Sequence, residues 1–145
     1  EIKKEHDEFR KITDEINETT DRAIKTRETK FKKFFINITA HHESEEVVLV
    51  PKLKEKKETR EMGLEILEEH HVLERLLDEL KNLPVDDETW IIKFGVMKEL
   101  MEHHLEEEKE EISKEAHKQF DQETLDKMGE EFEKEEKKQK EKLSK

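Results

Sequence analysis

Only three glycines and two prolines interrupt 145 residues, and that scarcity constrains the fold more than any other feature. Apolar residues recur every three or four positions and not in strict alternation, which is helix spacing. The spacing predicts a first helix over residues 2–17, with Ile2, Phe9, Ile12 and Ile16 on one stripe. Thr19, Thr20 and Asp21 supply a turn and a capping side chain. A long second helix carries Ile24, Phe31, Phe35, Ile38 and Leu49, and Pro51 disrupts or ends it. A third runs from about Thr59 to Lys81, with Met62, Ile66, Leu73, Leu77 and Leu80 inside. Asn82 to Val85 make the sharpest turn, and Asp86 or Asp87 caps a fourth helix over residues 88–114 that uses Trp90, Phe94, Met97, Met101 and Ile112.

Four amphipathic helices joined by short turns predict an all-α, antiparallel four-helix bundle over residues 1–114. Residues 115–145 are expected to add a short docking helix, through Leu125, Met128 and Phe132, followed by a Lys/Glu tail that is solvated or frayed from Glu133 onward.

Composition sharpens the problem of how such a bundle holds together. Charged residues make up 48% of the chain against 30% hydrophobic, and the net charge is −12. That places it near the disordered corner of composition space, so a thin core needs help from something besides hydrophobic burial. The acidic balance excludes a nucleic-acid backbone as partner. With no cysteine there is no disulfide framework, thiolate zinc site or iron–sulfur cluster, and with no tyrosine no tyrosyl radical. The longest wholly apolar run, Val47 to Val50, is far short of a membrane span, and the opening residues do not read as a signal peptide. A soluble, cytoplasmic protein is the expectation.

The histidines are the chemical signal. Six of the eight form three His-His pairs, His41-His42, His70-His71 and His103-His104. Neighbouring helical residues point about 100° apart, so one member of each pair is expected to face the core. Counting by threes and fours along each apolar stripe selects His42, His70 and His104, with His6 on the first helix. Two of these have a glutamate four residues on, His42 with Glu46 and His104 with Glu108, and an i, i+4 pair shares one helical face. Two similar halves emerge, with the second histidine 36 residues after His6 in one and 34 after His70 in the other. A lone histidine on an apolar stripe is usually a spectator. Four at one depth with two carboxylates are costly to bury without a cation, because each uncompensated polar group pays its desolvation. Four imidazoles and two carboxylates suit a pair of iron, manganese or zinc ions.

Those residues resemble the hemerythrin-like family, the HHE cation-binding domain. The likeness rests on His6, the stretch from His42 to Pro51, Glu69-His70, and His104 to Glu108 with Ile112; it extends over roughly residues 1–133 through the segment from Glu123 to Phe132. It implies an oxo- or hydroxo-bridged di-iron centre, with His6, His42, His70 and His104 as terminal ligands and Glu46 and Glu108 bridging; manganese or zinc are the substitutes. Oxygen-carrying members place a further histidine where this chain has Glu74, a carboxylate that favours the ferric state and argues against simple oxygen carriage. Glu43 is a further candidate carboxylate, as in hemerythrin-like domains that sense iron. The function implied is binding, sensing or reacting with O2, NO or peroxide, more as a metal-binding or sensing protein than a dedicated enzyme. The alternatives are an iron-handling, di-iron repair or peroxide-removing protein, or a structural metal bundle without redox turnover.

Overall fold

The computed structural model describes residues 2–20 and 22–144, with side chains from residue 5 onward; the side chain of Ile2 and the turn residue Asp21 lie outside the described residues. The chain is helical, with no strand among the described residues. Its elements are α1 (Ile2–Asn17), α2 (Ile24–Ser44), a π-helical turn (Glu45–Leu49), α3 (Val50–Glu55), α4 (Lys57–Asn82), α5 (Glu88–Glu107), a second π turn (Glu108–Ile112), α6 (Ser113–Gln119) and α7 (Gln122–Leu143). The π turns join α2 to α3 and α5 to α6, so the chain forms five rods. Four make an antiparallel bundle, as the cross-links show: Glu15 meets Lys30, Glu79 meets Lys93, and Arg10 and Asp14 meet Glu106 and Lys98. These exposed pairs indicate register and add little stability.

Helix ends follow the local chemistry. Asp87 caps α5 by accepting from the Thr89 backbone N–H at 2.9 Å, and Asp121 caps α7 by accepting from Thr124 at 2.8 Å. Pro51 does not end the second rod, which continues to Glu55. The π turn just before it closes with a bond from the Val50 N–H to the Glu45 carbonyl, and Pro51 sits in the first turn of α3, where an N–H is not required.

The fifth rod departs most from the sequence expectation. α7 runs unbroken to Leu143 and packs along α2 and the π turn beyond it. Its Met128 and Glu136 are buried, so the segment after Glu133 is not merely a solvated tail. On α2, Phe34, Ala40 and His41 join Phe31, Ile38 and His42 in the interior, while Phe35 is only half-buried.

Two apolar clusters result. The larger joins Phe9, Ile16, Phe31, Phe34, Leu77, Trp90, Phe94 and their neighbours; the smaller joins Val50, Leu53, Ile66, Ile112, Ala116 and Phe120. Along every bundle rod that contributes to both, the histidines and inward glutamates fall between the two. The thin core is therefore split by a polar layer. No helix among the described residues is long and apolar enough to cross a membrane.

At the turn end of the bundle, Arg27 is buried and serves as a clamp. Its guanidinium donates to the Thr19 hydroxyl at 2.8 Å, the Thr19 carbonyl at 3.0 Å and the Val85 carbonyl at 2.6 Å, and lies 5.6 Å from the centre of the Trp90 ring. It ties the α1–α2 turn to the α4–α5 turn. Arg27→Ala leaves buried carbonyls unpaired and uncovers Trp90, so it should cost about 3 kcal/mol of unfolding free energy in a urea titration. Metal content should be unchanged, because the clamp lies at the far end of the larger core from the histidine layer.

Candidate metal centre

The polar layer brings His6, His41, His42, His70, His104, Glu45 and Glu108 together, all of them buried. Five of the expected residues are present: His6, His42, His70, His104 and Glu108. His41 and Glu45 join them, and Glu46 does not. Glu46 is partly exposed and accepts a hydrogen bond from His70 Nδ1 at 3.0 Å. His41 and Glu45 continue the buried stripe of Phe31, Phe34 and Ile38 at spacings of three and four, whereas Glu46, about 100° further round the helix, turns toward α4. Glu43 and Glu74 are half-buried and belong to neither ligand group described next. Burial, with the charges of Glu46 and Glu43 nearby, raises the Glu74 pKa. His71 and His103 are exposed.

Within the layer the donor atoms form two groups, each with its atoms within 4.8 Å of one another: His42, Glu45, His70 and His104 in one, His6, His41 and Glu108 in the other. The carboxylates connect them. Glu45 Oε1 lies 3.0 Å from His70 Nε2 and 3.9 Å from His104 Nε2, while its Oε2 lies 3.5 Å from His41 Nε2. Glu108 Oε1 lies 3.6 Å from His6 Nε2 and 3.9 Å from His41 Nε2, while its Oε2 lies 3.4 Å from His104 Nε2. Each carboxylate thus turns one oxygen toward each group, Glu45 toward His70 and His104 on one side and His41 on the other, Glu108 toward His104 on one side and His6 and His41 on the other. His42 completes the three-histidine side by stacking on His70, with ring centres 4.1 Å apart.

Both inward glutamates open a π turn. Val50 N–H donates to the Glu45 carbonyl and Ser113 N–H to the Glu108 carbonyl, bonds that reach back five residues. A wider turn at each glutamate is a local irregularity of the kind that gathers at functional sites.

Apart from the 3.0 Å contact of His70 Nε2 with Glu45 Oε1, these inward contacts are too long for normal hydrogen bonds and fit a shared cation. Donors about 2.1 Å from an ion stand about 3.0 Å apart when adjacent and about 4.2 Å apart when opposite. Many of these atoms have no hydrogen-bond partner: both ring nitrogens of His6 and of His42, Nε2 of His41 and His104, and Oε2 of Glu45 and Glu108. Orphaned buried polar atoms cost about 1–3 kcal/mol each, and their convergence fits metal ions at this place. The outward Nδ1 atoms are held by carboxylates: His41 by Glu5 at 2.6 Å, His70 by Glu46 at 3.0 Å and His104 by Glu69 at 2.9 Å. Such contacts orient an imidazole so that Nε2 faces inward.

Electrostatics agree with the geometry. Burial opposes charge on His70 and His104, but the Glu45 carboxylate facing both, with Glu46 accepting from His70 and Glu69 from His104, prevails and raises the pKa values to about 9 and about 10. His41 is likewise raised well above the ordinary value, burial being outweighed by Glu45, Glu108 and Glu136. His42 is held well below it by burial and by the charge of His70. Glu45, despite burial, is held well below the usual carboxylate range by His41, Glu108 and His104.

The family described as Hemerythrin HHE cation binding domain matches residues 1–116. The chain belongs to that family, and its buried His/Glu clusters are those of a cation-binding protein. Comparisons with curated proteins and with solved structures returned no significant match.

Without metal, the shifted groups set a pH profile. His70 and His104 stabilise the fold fully below pH 6.5, and that contribution is lost as pH rises through 9 to 10. His42, held neutral, costs stability as pH falls below 6.5, and Glu45 loses its contribution below 4.5. Thermal unfolding of metal-free protein in low salt should therefore peak near pH 6.5, declining on both sides; a curve flat from pH 6 to 10 would contradict this assignment.

Proposed function

We propose that the His/Glu layer holds two iron ions bridged by Glu45 and Glu108, and that the protein binds, senses or reacts with a small oxidant or diatomic: O2, NO or peroxide. The observation that carries this reading is the division of each carboxylate, one oxygen to each histidine group. In it, His42, His70 and His104 serve one ion and His6 and His41 the other. A pair of iron ions supplies redox electrons and, where ligands are fewer, a position open to a small molecule. Manganese or zinc fits the same nitrogen and oxygen donors, and the absence of sulfur ligands favours these harder ions.

The chain's residues prepare the two-histidine side for such a ligand. A cavity of about 280 Å³ lies between α7 and the bundle and meets the layer at His6, Glu45 and Glu108. Its other walls include Val48, Ile112, Met128 and Phe132. Apolar walls admit a small neutral molecule while offering water few partners. On the opposite side the larger apolar cluster seals the layer. The family's oxygen carriers have a histidine where this chain has Glu74, which keeps sensing or irreversible reaction ahead of carriage.

Two variants separate this ligand set from the one read off the sequence. Glu45→Ala should abolish uptake of the second ferrous ion in an anaerobic titration that gives two per chain for the wild type. Glu46→Ala should still take up two, with affinity lowered on the order of tenfold through the loosened His70. Loss of an ion from the Glu46 variant alone would overturn the assignment. Binding at pH 7 should also release at least two protons per chain, from His70 and His104, measurable in weakly buffered solution.

A further inference from the structure

α7 lies wholly beyond the matched residues 1–116, yet it reaches the His/Glu layer. Phe132 sets its ring edge-on to His41, with centres 5.4 Å apart, opposite Phe9 at the same distance. One turn later Glu136, also buried, points Oε2 at His41 Nδ1 from 3.6 Å. That oxygen has no hydrogen-bond partner, and its fellow Oε1 lies 3.9 Å from Lys140. Glu5 of α1 already holds the same Nδ1 at 2.6 Å. Glu5, His41 and Glu136 could be read as a third cation site. That reading fails on the imidazole: Nδ1 is engaged by Glu5, and Nε2 faces Glu45 and Glu108.

The geometry points to Glu136 as a positioning residue: with Glu5 and Phe132 it fixes the ring of His41, so that α7 governs the ion on the His6/His41 side. This rests on the two-ion reading above. Phe132 and Glu136, four residues apart on one face of α7, take hold of the ring at its edge and at its outer nitrogen together. A ring fixed in this way presents Nε2 at one angle between the two carboxylates, whereas a ring held by Glu5 alone can swing about that single bond. The three-histidine side has its own outer carboxylates, Glu46 and Glu69, and takes none from α7. The helix, outside the matched residues 1–116, thus acts on one half of the centre.

The test uses the full chain and cobalt(II) as probe, with chelator competition to resolve the two binding steps and the visible d–d spectrum to report geometry. Glu136→Leu should weaken one step on the order of tenfold and leave the other unchanged. Glu136→Gln, whose amide oxygen can take the place of Oε2 beside His41 Nδ1, should restore most of the loss. Asp121→Ala removes the cap of α7 without touching His41 or the cavity and should leave both steps near wild type. Unchanged affinities in Glu136→Leu would overturn the proposal, as would an equal loss in Asp121→Ala, which would make the effect one of packing. Nitrogen-15 NMR of the His41 ring in metal-free protein gives a second readout: the Nδ1–H signal should shift and exchange faster with water in Glu136→Leu and not in Asp121→Ala. A wild-type chain that takes up one cobalt ion would sink the two-ion reading, and the ring signal would still decide the role of Glu136.

Discussion

Seven ionisable side chains packed into the middle of a helical bundle are the constraint on which the rest of this structure depends. Five imidazoles and two carboxylates separate the core into two apolar clusters, and neither cluster is large. Water cannot reach most of these atoms, and many of them have no hydrogen-bond partner. Cations bound as proposed would compensate such a layer and cross-link all four bundle rods at one level, the holding force that a chain 48% charged requires. Stability and function are thereby tied to the same residues.

The carboxylates are placed by the backbone as much as by side-chain chemistry. Each inward glutamate opens a π turn, at equivalent positions on the second and fourth rods. The two halves of the bundle therefore repeat a device as well as a motif. The two donor groups differ in their histidines, His42, His70 and His104 in one and His6 and His41 in the other, and the cavity meets the layer at His6 of the second. That asymmetry is what a centre needs if one position is to bind a small molecule while the rest of the layer stays fixed.

Much of this was legible in the residues. Helix spacing and scarce breakers are enough to place the four bundle rods, because few other structures bury so regular a stripe. His6, His70, His104 and Glu108 follow from the stripe because their rods bury one face each. On the second rod a count by fours from Ile38 reaches His42 and Glu46, whereas three and then four reaches His41 and Glu45; the layer takes both histidines but, of the two glutamates, Glu45. The motif held a clue, since His41 and Glu45 have the same spacing as His42 and Glu46, but only tertiary cover chooses between them. Glu136 could not have been found from the pattern, since a lone glutamate in a Lys/Glu helix carries no periodic signal.

The central claim is that two ions lie side by side, bridged by Glu45 and Glu108. Anomalous diffraction from crystals of the iron-loaded protein, with data on either side of the iron absorption edge, addresses it directly. Two peaks roughly 3.5–4 Å apart, one beside His42, His70 and His104 and the other beside His6 and His41, with both carboxylates between them, is the predicted result. A single peak, or two peaks that leave Glu45 outside the centre, would contradict it.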